Sequence, residues 1–176
     1  MTVRQLNAQD SAAYQAVRLR GLQESPTAFS SSHADECQRT PSEIATRVTP
    51  APDGSLCVFG AFVDGGLVGI LAFMRPRGHK IRHGAELGGF YVAPECRRRG
   101  CGRALLDAAL SHARAVGGVR QLKVTVNAAN LAAKRLYQSS GFRLCGTEPE
   151  ALFVDGTYYD EEIFVLRLDQ PYISVC

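Results

Sequence analysis

The spacing of apolar and polar residues predicts alternating strands and helices, and the pattern is clearest at the centre of the chain. Residues 87–92 form an apolar and aromatic run, typical of a buried strand, and Pro94 ends it. Beyond residue 103, apolar side chains recur at helical spacing. The face they form contains Leu105, Leu106, Ala109, Leu110 and Ala113. A buried strand therefore leads through a short turn into an amphipathic helix.

The same patterns predict the rest of the fold. Six further strands are expected at residues 2–6, 56–63, 67–74, 121–126, 142–147 and 157–168, and three further helices at residues 8–23, 41 to about 48, and 129–139. Residues 40–43 form a capping box, residues 64–66 a hairpin turn and residues 27–36 a polar loop. Gly141 is expected to end its helix in a left-handed conformation.

Together these elements indicate one α/β (α+β) domain over residues 1–176. It has about seven strands in a mixed sheet, with about four helices on both faces.

The turn between the central strand and helix is basic and rich in glycine. It contains Arg97, Arg98, Arg99, Gly100 and Gly102. The first N–H groups of a helix have no internal acceptors and carry the positive end of the helix dipole, so they attract phosphate. Glycine lets the backbone approach such a group closely. No Gly-Lys-Ser/Thr follows, and Leu105 replaces the third glycine of a dinucleotide motif. The turn alone leaves two interpretations open, a phosphate site and a solvated arginine run.

Two blocks of sequence resemble one known family. Residues 97–102, Arg-Arg-Arg-Gly-Cys-Gly, resemble the Arg/Gln-x-x-Gly-x-Gly/Ala acyl-CoA motif of the GNAT superfamily of N-acetyltransferases. Residues 127–142 are similar to the family's later Asn-x-x-Ala-x-x-x-Tyr-x-x-x-Gly-Phe segment, through Asn130, Ala133, Tyr137, Gly141 and Phe142. The blocks occur in the family's order, and the resemblance extends over about residues 3–168. It implies a GNAT-like, mostly antiparallel twisted sheet with acyl-CoA in the splay between the fourth and fifth strands.

The resemblance also implies how this chain would hold acetyl-CoA. Backbone groups of Phe90, Tyr91 and Val92 would contact the pantetheine arm, and one N–H would polarise the acetyl carbonyl as an oxyanion donor. The phosphates would meet a basic helix start that contains Arg97, Arg98, Arg99, Gly100, Cys101, Gly102 and Arg103. Asn127 and Asn130 could each bind cofactor or cap the following helix; capping is favoured for Asn127, and both roles stay open for Asn130.

Two residues are candidates for proton transfer. Tyr137 matches the family's tyrosine, and a phenol can protonate the leaving thiolate; the alternative is that it only packs beside Leu136. Glu86, at the start of the central strand, lies where some members of the family carry a glutamate base, which would act directly or through water. Its alternative is a solvated glutamate at a strand end.

Composition narrows the classes of function. A net charge of +3 suits an anionic cofactor, but the chain lacks tryptophan and the basic stripes of a nucleic-acid-binding protein. No apolar run approaches the roughly 20 residues of a membrane helix, and residues 1–5 do not resemble a signal peptide. We therefore expect a cytoplasmic protein without membrane or nucleic-acid partners. Six cysteines without Cys-x-x-Cys spacing favour reduced thiols, and the four histidines lack ligand spacing, so no metal is expected.

The resulting hypothesis is an N-acetyltransferase, monomeric or homodimeric, that moves acetyl from acetyl-CoA to a primary amine by direct attack in a ternary complex. The amine could belong to a small molecule or to a protein. Acidic residues within 148–162 favour a cationic acceptor, whereas the basic loop at 75–83 favours an acidic one, so the acceptor stays open. The alternative function is a domain that binds acyl-CoA without turnover.

Overall fold

A seven-stranded sheet forms the centre of the computed structural model, which describes residues 1–168. Its strands are β1 (Thr2–Gln5), β2 (Leu56–Val63), β3 (Gly66–Met74), β4 (Gly84–Val92), β5 (Gln121–Asn127), β6 (Arg143–Val154) and β7 (Thr157–Arg167). They lie in the order β1-β2-β3-β4-β5-β7-β6. Every neighbouring pair is antiparallel except β4 and β5, which are parallel. The predicted mixed, mostly antiparallel sheet is confirmed.

Five α-helices accompany the sheet. They are α1 (Ser11–Glu24), α2 (His33–Cys37), α3 (Pro41–Val48), α4 (Cys101–Ala115) and α5 (Leu131–Ser139), with short 3-10 turns at Ala8–Asp10, Pro26–Ala28 and Pro94–Cys96. The additional helix, α2, lies largely in the segment predicted as a polar loop. Its five residues carry no apolar period, so the pattern could not reveal it. Instead its Glu36 is fully buried against Arg18, Arg39 and Arg47.

Apolar side chains from the helices cover both faces of the sheet. On one face, the predicted apolar residues of α4 are all at most 6% exposed and pack with Phe73, Leu122 and Phe164. On the other face, α1 and α3 supply Tyr14 and Ile44 to a second cluster. Burying a large aliphatic or aromatic side chain contributes about 1.5–3 kcal/mol, so these two layers hold the helices on the sheet.

Several element ends differ from the predictions. The first helix begins at Ser11, because Asn7 caps a separate 3-10 turn before it. The central strand begins at Gly84 rather than at residue 87. β6 continues seven residues beyond the predicted end at 147 and bulges at Glu150, which has φ 53°. Its second half is polar and held by pairing with β7, which a pattern of apolar residues cannot predict. Gly141 does adopt the predicted left-handed conformation, with φ 90°.

The parallel strands β4 and β5 separate along their length. Their ladder joins Gly84–Leu87 of β4 to Gln121–Val124 of β5, and within residues 1–168 it extends no further. Just beyond Leu87, the β3–β4 register shifts and Gly89 has φ 62°. This positive φ bends β4, because glycine adopts it without the clash that a Cβ would cause. The bend opens a splay between the carboxyl ends of the two strands.

Two further findings concern the described residues. No helix within residues 1–168 is long and apolar enough to span a membrane. Cys37, Cys57, Cys96, Cys101 and Cys145 are free thiols. Cys176 and the end of the predicted domain lie outside the residues that the structure describes.

Candidate active site

The splay between β4 and β5 holds a cavity of about 750 Å³, which we call the splay cavity. This volume is within the range of small-molecule binding sites. The chain after α1, the end of β4, the basic turn, the end of β5 and α5 all contribute to its lining. It is lined by Glu24, Ser25, Pro26, Thr27, Ala28, Phe29, Phe90, Tyr91, Val92, Arg97, Arg98, Gly102, Asn127, Ala129, Asn130, Ala132, Ala133 and Leu136. Most of these residues are small or apolar, so polar recognition here depends on a few side chains and on the backbone.

The last three residues of β4 border the splay cavity, as predicted for Phe90, Tyr91 and Val92. On one edge they pair with β3, through Ile70 opposite Tyr91 and Gly69 opposite Val92. The other edge faces the splay, where β5 has already separated. Backbone groups on such an edge can bond to a ligand in the way that they would bond to another strand.

The start of α4 also faces this cavity. Its N-cap is Gly100, with φ 85° and no capping side chain, and Gly102 in its first turn lines the cavity. The N–H groups of the first turn are therefore available to an acceptor outside the helix. The helix is 15 residues long, so its dipole adds to this donor site. This geometry is what the sequence predicted for a phosphate site.

The arginines of the basic turn have different positions. Arg97 Nε donates to Val92 O at 2.8 Å, and Arg97 Nη2 donates to Glu24 Oε1 at 2.7 Å. Arg97 and Arg98 line the cavity. Arg99 is exposed and is not among the lining residues, and Arg103 pairs with Asp107 at 3.0 Å. Two of the four predicted arginines therefore border the cavity.

Glu24 also fixes the end of β4. The Tyr91 hydroxyl donates to Glu24 Oε2 at 2.5 Å, and burial together with this carboxylate raises the pKa of Tyr91 to about 12. Arg97 lies over the Tyr91 ring, 5.7 Å from its centroid. Sequence analysis did not single out Glu24, since no motif marks it. It joins the end of α1 to the strand and to the basic turn.

Of the two asparagines before α5, it is Asn130, for which both roles were left open, that caps the helix. The capping role predicted for Asn127 is wrong: Asn130 caps α5, where its Oδ1 accepts from Ala133 N at 3.1 Å. Asn127 Oδ1 accepts from Ala129 N at 2.9 Å, and its Nδ2 donates to Thr27 O at 3.1 Å. The apolar pattern could not distinguish them, because both precede the helix within one turn. Both line the splay cavity.

Cys101 and Tyr137 both belong to the core. Cys101 is 2% exposed and is not among the lining residues of the splay cavity, so its thiol does not contact a ligand there. Tyr137 is 4% exposed and packs against Phe90 and Phe142, with ring centroids 6.2 and 5.5 Å away. Burial raises the pKa of the Tyr137 phenol, which would be protonated near neutral pH even without this shift. Leu136 lines the splay cavity instead, and Tyr137 lies directly behind the lining residue Phe90.

A second cavity of about 450 Å³, here called the charged cavity, lies beside the β4 bend. It shares Ala28 and Phe29 with the splay cavity. Its charged lining residues are Arg18, Arg47, Glu86, Lys123, Glu148 and Glu161. Glu86 therefore lines this cavity, where it forms an ion pair with Lys123. Glu86 and Tyr137 are predicted to work at one site. Glu86 lines the charged cavity, whereas Tyr137 packs against Phe90, which lines the splay cavity.

Glu161 is a candidate base that sequence analysis missed. It lies opposite Glu148 in the β6–β7 ladder and opposite Asn127 in the β5–β7 ladder. Burial and the negative charge of Glu148 raise the pKa of the Glu161 carboxyl. A carboxyl with a raised pKa in a cavity is typical of acid–base catalysts. In the sequence it is one of several acidic residues near a hairpin, and only strand register shows that it faces the cavity.

The residues that the structure describes contain no group of three or more His, Cys, Asp or Glu side chains that could hold a metal ion. The site consists of a backbone-lined cleft, a helix start and a neighbouring cavity with charged side chains.

Comparison with known proteins identifies relatives of this architecture. Residues 20–142 match the model of the acetyltransferase (GNAT) family. A GNAT-family acetyltransferase from Streptococcus pneumoniae is 24% identical with a TM-score of 0.85, and the match covers 95% of this chain and 99% of that one. A search of the curated proteins found no match.

Two further solved structures have the same fold. Ribosomal-protein-alanine N-acetyltransferase from Brucella melitensis is 26% identical with a TM-score of 0.76, covering 96% of this chain and 100% of that one. The protein yncA from Salmonella typhimurium, solved with its cofactor acetyl-CoA, is 23% identical with a TM-score of 0.81, covering 99% and 98%. The predicted fold and the resemblance from which it came are confirmed.

Proposed function

The chain belongs to the GNAT acetyltransferase family, and from this premise we propose that it is an N-acetyltransferase. It would move the acetyl group of acetyl-CoA to a primary amine by direct attack in a ternary complex. The observation that carries the proposal is the splay cavity, which runs along a free strand edge to an uncapped helix start. A second cavity adjoins it at the β4 bend, so donor and acceptor each have a compartment.

The chain fits acetyl-CoA at both ends of the splay cavity. The N–H groups of the first turn of α4, including those of Cys101, Gly102 and Arg103, would hold the pyrophosphate, with Arg98 nearby. A Cβ on Gly100 would meet nothing within 4 Å, so this residue is required for its positive φ rather than for space. The free edge of residues 90–92 would hold the pantetheine arm, and one N–H there would act as the oxyanion donor.

For the acid step we propose Tyr137. A phenol with its ordinary pKa of about 10 is protonated at neutral pH, as a proton donor to a leaving thiolate must be. Burial raises the pKa of Tyr137 further, so the phenol keeps its proton until the thiolate leaves but is a weaker acid than a free tyrosine. It lies behind Phe90 rather than in the cavity lining. To act as the general acid, the Tyr137 hydroxyl must therefore reach the sulfur of CoA past Phe90.

For the base step there are two carboxylates. An ammonium acceptor with a pKa of about 10.4 must lose a proton before it can attack. Glu86, the base that the resemblance implies, lines the charged cavity but is paired with Lys123. Glu161 lines the same cavity, and burial together with the negative charge of Glu148 raises the pKa of its carboxyl. We propose Glu161 as the principal base and keep Glu86 as the alternative.

One observation favours the second candidate function, acyl-CoA binding without turnover. Tyr137 is 4% exposed and packs as a core residue, as the structural interpretation of its sequence position predicts. A domain in which this phenol never meets the sulfur would still offer the helix start and the strand edge to acyl-CoA.

We also propose a cytoplasmic location, because the free thiols among residues 1–168 suit a reducing compartment.

The two functions are separated by a titration followed by a turnover assay. We expect calorimetry to detect acetyl-CoA binding with a dissociation constant in the micromolar range, typical of enzyme substrates. Thiol release should then follow when amines are added from a panel of amino acids, peptides, polyamines and aminoglycosides. Binding without release on any amine would support the non-catalytic domain, and absence of binding would contradict both functions.

Gly102→Val serves as the blocked variant in this assay. A Cβ at residue 102 would lie 3.5 Å from Phe90 and 3.6 Å from Leu136, so the added methyl groups would enter the splay cavity. We expect at least 100-fold weaker acetyl-CoA binding. The matched control is Gly117→Val in the loop after α4, where a Cβ meets nothing within 4 Å. Equal binding by the two variants would mean that acetyl-CoA occupies another place.

A further inference from the structure

Arg18 of α1 is a buried cation beside the charged cavity. The residue is 6% exposed, and its guanidinium lies 4.6 Å from the centroid of the Phe29 ring. Nη2 donates to Ser31 Oγ at 3.1 Å. Within residues 1–168, Nε and Nη1 are buried without a hydrogen-bond partner. Arginine stays charged in proteins, so Arg18 cannot relieve these donors by losing a proton.

The charge balance around Glu36 also leaves Arg18 short of a counterion. The carboxylate oxygens of Glu36 accept from Arg39 Nε at 2.8 Å and from Arg47 Nη1 at 2.8 Å. The approach of Glu36 to Arg18 is longer, at 3.6 Å. Three arginines therefore surround one carboxylate, and the one with the longest contact is the most buried. A buried charge with unmade hydrogen bonds is strongly unfavourable, and an anion beside Arg18 would remove both deficits.

The charged cavity also carries carboxylates from other elements. Glu148 and Glu161 come from β6 and β7, and Glu86 comes from β4. One cavity of about 450 Å³ is thus bordered by an underpaired cation on α1 and by carboxylates on the sheet. Its other two cations are already paired, Arg47 with Glu36 and Lys123 with Glu86. A positively charged amine suits the carboxylates, and an oxyanion suits the guanidinium. A molecule that carries both groups matches the cavity better than one that carries either alone.

We propose that Arg18 binds an oxyanion of the acceptor, so the acceptor is a small amine that carries a carboxylate or phosphonate on the same molecule. This inference rests on the proposed function and narrows the acceptor class. Nε and Nη1 are covered in this structure, so binding includes a small rotation of the side chain, as is common when partners bind. Nη1 lies beside Gly89 in the β4 bend, where an added Cβ would be in van der Waals contact with it at 3.6 Å.

The test compares acceptors that differ only in the oxyanion. The intact protein with saturating acetyl-CoA is assayed for thiol release with each of the twenty amino acids, the corresponding carboxamides, 2-aminoethylphosphonate and spermidine. We expect at least one acid or phosphonate to exceed its uncharged counterpart by 30-fold or more in kcat/KM. The amine of a carboxamide is the more easily deprotonated, so amine basicity alone would give the opposite preference.

The variants Arg18→Gln and Arg18→Met then locate the preference. Both remove the charge, and Arg18→Met keeps an apolar side chain over Phe29. We expect the ratio of acid to amide to fall to within 5-fold of unity, with the acetyl-CoA dissociation constant unchanged. Arg39→Gln is the matched control, because Arg39 also bonds Glu36 but is not among the lining residues of the charged cavity. It should retain the wild-type ratio.

The outcomes distinguish this inference from the proposed function. Absence of acetyl-CoA binding, or of thiol release with any amine, contradicts the proposed enzyme. If turnover occurs with spermidine or the amides as readily as with the acids, or if Arg18→Gln keeps the wild-type ratio, the oxyanion assignment is wrong. If no amine is turned over, calorimetry with the acids tests the oxyanion assignment instead. Binding of an acid by the wild type and not by Arg18→Gln supports the assignment. If the wild type binds none of the acids, the assignment is wrong. A purely structural Arg18 would lower the melting temperature in both variants without changing acceptor preference.

Discussion

The two cavities beside the β4 bend offer different kinds of chemical group to a ligand. The splay cavity presents a strand edge, the start of α4 and mostly small or apolar side chains. The charged cavity presents side chains of both signs, drawn from α1, α3 and four strands. Backbone donors are the same whatever residues carry them, whereas side chains change with every substitution. Under the proposed function, the donor site would be fixed by the fold and the acceptor site by the particular residues of this chain.

The two cavities also differ in whether their charged side chains have partners. In the splay cavity, Arg97 is held by Val92 O and Glu24, and Glu24 is also held by Tyr91. In the charged cavity, Arg18 keeps two donors unpartnered, and Glu161 lies opposite another carboxylate. In the first arrangement the two charged side chains are paired with each other without a ligand, whereas in the second, within residues 1–168, Arg18 and Glu161 lack such close partners. An acceptor that supplies the missing partners would therefore be favoured over one that does not.

The largest effect is expected at the boundary of the splay cavity. Tyr137→Phe removes only the hydroxyl and keeps the ring contacts with Phe90 and Phe142. If the phenol is the general acid, kcat should fall about 100-fold, because positioned proton transfer contributes roughly 10²–10⁴-fold. The KM for acetyl-CoA and the melting temperature should change little. Steady-state kinetics with the best amine measures this, and full activity would reduce Tyr137 to a packing residue.

A smaller effect is expected in the charged cavity, as a shift in pH dependence. Burial and Glu148 raise the pKa of Glu161 above its usual value, and a base must be deprotonated to act. Activity should therefore fall as pH decreases through that raised pKa. Glu148→Gln removes one cause of the shift, so the acidic limb of kcat/KM should move to lower pH.

Glu161→Gln and Glu86→Gln complete this experiment. Glu161→Gln should lower kcat/KM by about 10- to 100-fold, in line with loss of a general base, and remove the acidic limb. Glu86→Gln should keep that limb, because its carboxylate is paired with Lys123 in the wild type. The reverse result, with the limb lost only in Glu86→Gln, would assign the base to the residue that the sequence predicted.

Sequence predicted the splay cavity much better than the charged one. Apart from residues 24–29, the lining of the splay cavity comes from two continuous blocks, residues 87–106 and 127–142. In these blocks the apolar period, the positions of the glycines and the family motif are all local features of the sequence. The wrong cap, Asn127 instead of Asn130, is a local error of three residues, and it accompanies an error of two residues in the predicted helix start. The fold was predicted well for the same reason, because most of its elements have an apolar period. The second half of β6 is the exception, since pairing with β7 holds it in place.

The charged cavity could not be predicted because its residues meet only through tertiary structure. Arg18 is one of two arginines on α1, and part of its surroundings comes from Glu36 of α2, a five-residue helix without an apolar period. Glu161 reaches the cavity through the register of β7 with both of its neighbours. Neither residue has a sequence neighbour that reveals its role. Acidic residues near 148–162 and basic ones near 75–83 were the visible signals, and only the acidic group includes residues of this cavity.

The most direct test of the central claim follows backbone amides by nuclear magnetic resonance while acetyl-CoA is added. The account predicts that the largest shift changes occur at residues 90–92 on the free edge of β4 and at residues 101–103 in the first turn of α4. Shift changes centred on the basic loop at residues 75–83, with the β4 edge and the α4 start unaffected, would contradict it.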